Sequence, residues 1–157
     1  MAKIYQGALA ALHDACRFAR RVARVAAGLM LLVGSWCTAI VAAVYLANGG
    51  LAALGEHLTG VDDASLGAQK FTHWALVLFG TSLVQLVAAL FLLKAKASGF
   101  VAAVAVLSFG VCLYDLQYVP LHVMGLLDAA SIVGSFFAFP VALGMRRKAA
   151  LAAATPR

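Results

Sequence analysis

Apolar residues in this chain neither alternate nor thin out for long; they gather into four extended runs, at roughly 25–47, 71–93, 99–116 and 120–145. Each run meets or nearly meets the ~20 residues with which a helix crosses a ~30 Å hydrocarbon core. Closed β-barrels are the other way to span a bilayer, but they need alternating strands of roughly ten residues, and these runs do not alternate. The pattern predicts an all-α membrane protein, a four-transmembrane-helix antiparallel bundle over residues 25–145.

The polar positions say how the runs are joined. Residues 3–24, KIYQGALAALHDACRFARRVAR, put His13, Arg17, Arg20 and Arg24 on one helical face, and Ile4, Ala8, Ala15, Ala19 and Val22 on the opposite one. A basic amphipathic helix is expected over 1–24, held on an anionic membrane surface by Arg17, Arg20, Arg21 and Arg24. A cytoplasmic extension of span one, or a dock for another subunit, are the alternatives. The longest loop follows span one; a short helix is expected near 51–58, and Asp62 or Asp63 is expected to cap the helix leading into span two. KAKASG, residues 94–99, is short enough to make spans two and three a hairpin. Pro120 suits the first turn of span four, where a missing N–H costs nothing. That leaves Asp115, Gln117 and Tyr118 as the polar dressing of a helix end. Tyr45, Trp74, Tyr114 and Tyr118 fall near the same outer interface, as an aromatic belt would. Ser35, Ala39, Ala43 and Ala47 in span one, and Ala130, Gly134, Ala138 and Ala142 in span four, are small residues at four-residue spacing. Such stripes let backbones approach closely, within the bundle or between chains.

Composition agrees with lipid as the solvent. Of 157 residues 64% are hydrophobic and 11% charged, against about 25% charged in soluble domains; mean hydropathy is +0.97. The net charge of +6 would point to nucleic acid in a soluble protein, but its placement says otherwise, and no nucleic-acid partner is expected. Eleven of the twelve basic residues lie before span one, between spans two and three, or in the tail at 146–157, and Lys70 alone lies on the other side. The positive-inside rule makes the basic side cytoplasmic, so both termini are expected inside. Span one is too long for the roughly 7–15 residues of a signal-peptide core and reads as a retained anchor. The Ala- and Gly-rich composition points to a bacterial inner membrane. Cys37 and Cys112 differ in depth by roughly 8–10 Å, beyond disulfide reach, and the three cysteines read as buried thiols and one cytoplasmic thiol.

One acid stands inside a span. Helical rise puts Asp128 roughly 12 Å below the surface, where an ionised acid costs ~2.5–3.5 kcal/mol or more and normally faces the bundle interior. Ser82 and Gln85 in span two, Thr38 in span one and Ser108 in span three lie at comparable depth, and Ser131 shares a face with Asp128. A polar layer is expected, with Asp128, Ser82, Gln85 and Ser131 as its ligand-binding or structural residues. In it Asp128 is either a neutral hydrogen-bonded pin between helices or a group that handles a ligand or proton. His73 and His122 begin spans two and four at nearly equal depth, which is what a bis-histidine haem or a metal site requires. Haem or metal enters only through that pair; the rest of the sequence predicts no cofactor. No nucleophile elbow, Gly-rich phosphate loop or thiol pair is present.

The segment LVQLVAALFLLKAKASGFVAAVAVL, residues 83–107, resembles the middle of DoxX-like membrane proteins. The resemblance implies four helices of about this length with both ends cytoplasmic, and redox-linked accessory roles. This chain departs from that family in carrying Gln85, with Ala88 or Ala89, where an acid followed by a glycine is frequent. The expected function is a non-catalytic accessory or assembly subunit of a larger membrane complex, with the bilayer and other membrane subunits, or copies of itself, as partners. The alternatives are a small module holding haem, metal, quinone or lipid near the outer face, and a proton-coupled transporter using Asp128.

Overall fold

In hydrocarbon a backbone satisfies its N–H and C=O groups within a single segment only as a helix, and Ala, Leu and Val populate all four runs. The computed structural model describes residues 2–59, 63–117 and 123–154, with side chains over 12–51, 54, 69–117, 125–151 and 153–154. It holds four helices: α1 (Ala2–Thr59), α2 (Asp63–Leu93), α3 (Ser98–Leu116) and α4 (Val123–Ala154). All four are long and apolar enough to cross a membrane, and the described residues form no strand. They touch in cyclic order: α1 packs on α2 and α4, and α3 on α2 and α4.

Two expected boundaries are absent. The basic segment is not a separate helix ending at residue 24, and no separate short helix forms near 51–58; both belong to the unbroken α1. No proline falls in this stretch, and Gly49 and Gly50 weaken a helix by only ~1 kcal/mol each. At ~1.5 Å per residue the 58 residues of α1 extend about 87 Å, far beyond a ~30 Å hydrocarbon core. Helix α2 starts at Asp63, well before its apolar run, while Asp62, Tyr118, Pro120 and His122 lie outside the described residues.

The bundle is apolar outside and partly polar inside. Trp36, Leu107, Leu126 and Phe136 are exposed, whereas Thr38, Gln85, Asp115, Asp128 and Ser131 are buried. That inversion suits a lipid solvent, which attracts apolar surface no less than the interior does. Two apolar clusters form the core. One gathers Leu31, Leu92, Val101 and Ala138, the other Val41, Tyr45, Ala75 and Leu78. Thr38, Gln85 and Ser131 fall between the two clusters along their helices.

Close packing of α1 on α4 depends on two glycines. A Cβ on Gly134 would lie 2.6 Å from the Met30 carbonyl oxygen, and one on Gly34 would lie 3.0 Å from Ser131 Cα. Ala138 and Ala142 continue the stripe on α4, fully buried. The stripe on α1 runs from buried Ser35 to exposed Ala43 and Ala47. Helix α2 ends in a Schellman arrangement: Lys96 N–H donates to the Phe91 carbonyl at 2.8 Å and Ala95 N–H to that of Leu92 at 3.1 Å. Ala95 (φ 55°) and Ala97 (φ 49°) both take the left-handed conformation, which glycine adopts without steric cost.

Candidate functional site

The polar layer forms, with a membership that differs from the expected one. Gln85 Nε2 donates to Ser131 Oγ at 2.8 Å, the Thr38 hydroxyl lies 2.9 Å from Ser131 Oγ and 3.3 Å from Gln85 Oε1, and Cys112 Sγ lies 3.3 Å from Ser131 Oγ. All four helices thus meet at the Ser131 hydroxyl. The single Thr38 proton has three acceptors in reach, because the Gly34 carbonyl is also 3.0 Å away. Thr38 therefore satisfies its own helix or the layer, one at a time. Ser82 is buried but donates to the Phe79 carbonyl of its own helix at 2.7 Å, a local bond that Ser favours inside helices. It takes no part in the layer through any hydrogen bond among the described residues.

Asp128 is fully buried, and neither of its oxygens has a hydrogen-bond donor among the described residues. Gln85 and Ser131, its companions in the expected layer, bond each other. The other buried carboxyl among the described residues is that of Asp115.

Asp115 is where the sequence misled. It is not the solvated dressing of a helix end: it is 1% exposed, in the last turn of α3. Its Oδ1 accepts Tyr45 OH from α1 at 3.1 Å and Trp74 Nε1 from α2. Its Oδ2 is buried and has no donor among the described residues. Three of the aromatic residues expected near the outer interface, Tyr45, Trp74 and Tyr114, stand with Phe71 around this carboxyl, while Tyr118 lies outside the described residues. Trp74 packs edge-on against Tyr114 with ring centroids 5.2 Å apart, and Tyr45 stacks on Phe71 at 5.8 Å. These rings border a groove of about 660 Å³ lined by Tyr45, Lys70, Phe71, His73, Trp74, Val77, Tyr114 and Asp115. The signal that could have revealed Asp115 was its equal height with Trp74 and Tyr45, two rings that carry a donor.

His73 is exposed and lines this groove; its expected axial partner, His122, lies outside the described residues. Among the described residues no group of three or more His, Cys, Asp or Glu side chains is placed to hold a metal ion. Arg17, Arg20 and Arg21 are exposed and Arg24 half-buried, all on α1 before its span.

Chemically, the groove offers four aromatic side chains around the buried Asp115 carboxyl, whose Oδ1 is held by two ring donors, with Val77 as an apolar wall and Lys70 and His73 beside them. Such a place suits a molecule with a hydrophobic body and a cationic or hydrogen-bond-donating centre. No protein-family model, curated protein or solved structure matches this chain.

Proposed function

We propose that this protein is a small non-catalytic membrane module that binds a hydrophobic organic cation in the aromatic groove beside Asp115. The observation that carries the reading is the Asp115 carboxyl: buried at the groove, fixed by Tyr45 and Trp74 through Oδ1, with no donor on Oδ2 among the described residues. A cation reaching this carboxyl would supply the partner that Oδ2 lacks. Ring faces within about 6 Å of a desolvated cation add ~2 kcal/mol. The antiparallel arrangement with both termini cytoplasmic belongs to the same proposal, supported by the placement of the basic residues. It puts the groove at the outer face of what composition marks as a bacterial-type inner membrane. The test is equilibrium binding of tetraphenylphosphonium to the protein purified in mild detergent, beside the neutral triphenylphosphine oxide. Saturable binding of the cation alone supports the reading; equal binding of the neutral compound, or none of either, refutes it.

One observation favours a second reading, the accessory subunit of a larger membrane complex that a DoxX-like resemblance implies. Leu12, Phe18 and Val22 are exposed on the part of α1 that precedes its span, and a helical arm with apolar residues bare is what a subunit contact would cover. Stoichiometric co-purification of another membrane protein, lost in a chain lacking residues 1–16, would support it.

A further inference from the structure

A second groove, of about 670 Å³, lies between the basic part of α1 and the C-terminal part of α4. Arg17, Arg20, Arg21, Arg24 and Lys148 line it, and no carboxylate does. The arginines fall three and four residues apart, so they stack along one helix face. They end where the apolar run of span one begins, and Lys148 follows the end of span four. The floor on the α4 side is apolar, with Pro140, Val141 and Met145. Arg24 Nε is buried and has no hydrogen-bond partner among the described residues. Arg20 spends its Nε on the Cys16 carbonyl at 3.1 Å. Asp14, the acid of this arm, lines a separate hollow with Arg17, Phe18 and Arg21.

Five cations gathered around one groove repel each other, and an anion seated among them removes that cost. The charged rim at the end of the spans and the apolar floor running inward match the two halves of a phospholipid: phosphate at headgroup height, acyl chains along the helix. We propose that this groove is a specific binding site for an anionic phospholipid, with Arg20, Arg24 and Lys148 on the phosphate. Guanidinium groups hold a phosphate through paired N–H donors. The site is separate from the aromatic groove and does not depend on what binds there.

The experiment is native mass spectrometry of the full chain released from mild detergent with added dioleoylphosphatidylglycerol, dioleoylphosphatidylcholine or inorganic phosphate. The wild-type chain is expected to retain one phosphatidylglycerol and no phosphatidylcholine, and millimolar phosphate should not displace the lipid. Arg20→Gln with Arg24→Gln should weaken retention roughly tenfold or more, as loss of two charge-assisted contacts would. Arg146→Gln with Arg147→Gln removes the same charge outside the groove and should change retention less than about twofold, since exposed charges act weakly. Lys148→Gln probes the opposite wall, independently of how the α1 variant folds, and should weaken retention too. Equal weakening by both double variants, equal retention of the two lipids, displacement by phosphate, or an unchanged Lys148→Gln chain would overturn the proposal.

Discussion

Asp115 and Asp128 are both carboxyls without exposure, yet their neighbours give them different roles. Asp115 has two ring donors on one oxygen; Asp128 has no donor among the described residues. An amide at 128 is the same size, carries no charge, and brings an NH₂ donor as well as an oxygen to this interior. Asp128→Asn is therefore expected to stabilise the protein by ~1–2 kcal/mol, the value of satisfying a buried polar group. Thermal unfolding in detergent checks this; a lowered midpoint would mean the acid makes a bond the fold needs. Depth along a helix was enough to bring Thr38, Gln85 and Ser131 into one layer from sequence. It was not enough to pair Asp128 with them, because Gln85 and Ser131 bond each other. Asp115 escaped notice for a related reason: its place in the chain marked it as a helix end, and only tertiary packing brings Tyr45 and Trp74 over it.

At the scale of elements, the spans were legible because lipid demands unbroken apolar runs, while the helix ends were not. Helix α1 passes both expected boundaries since nothing in its sequence stops it. Helix α2 ends at Leu93, and Ala95 in the turn after it, a residue that gives no stop signal, takes φ 55°. That conformation costs an L-residue roughly 1–2 kcal/mol relative to the right-handed one. Ala95→Gly should release part of it, a gain of about 1 kcal/mol after glycine's larger unfolded-state entropy, measured as a raised melting midpoint. An unchanged or lower midpoint would deny that the turn is strained. The α1–α4 contact makes the opposite prediction. Any side chain on Gly134 meets the Met30 backbone, which cannot rotate away. Gly134→Val should destabilise by ~3 kcal/mol or more, at the upper end of overpacking costs, while Gly80→Val, at a glycine with open space around its Cα, should be far milder. Similar losses at both positions would contradict the close approach.

Taken whole, the molecule is a ring of four helices with a polar layer between two apolar clusters and an open groove near each end. One groove is aromatic with a carboxyl, the other basic with an apolar floor. The charge asymmetry behind the second was plain in the sequence, because arginines at three- and four-residue spacing must share a face. The groove itself needed α4 beside α1. The aromatic groove drew residues from three helices, and no local pattern announces such a site. Its carboxyl is the central claim, and its own indole can report on it. Trp36 and Trp74 are the only tryptophans, so a Trp36→Phe chain leaves Trp74 as a single fluorophore at the groove. Asp115→Asn keeps an oxygen for both ring donors while removing the charge. The measurement is Trp74 fluorescence during titration with tetraphenylphosphonium, with Asp115 intact and with Asp115→Asn. The account predicts a saturable change that shifts to at least about tenfold weaker binding in the Asn variant, a difference of ~1.4 kcal/mol. Identical titrations in the two chains would contradict it.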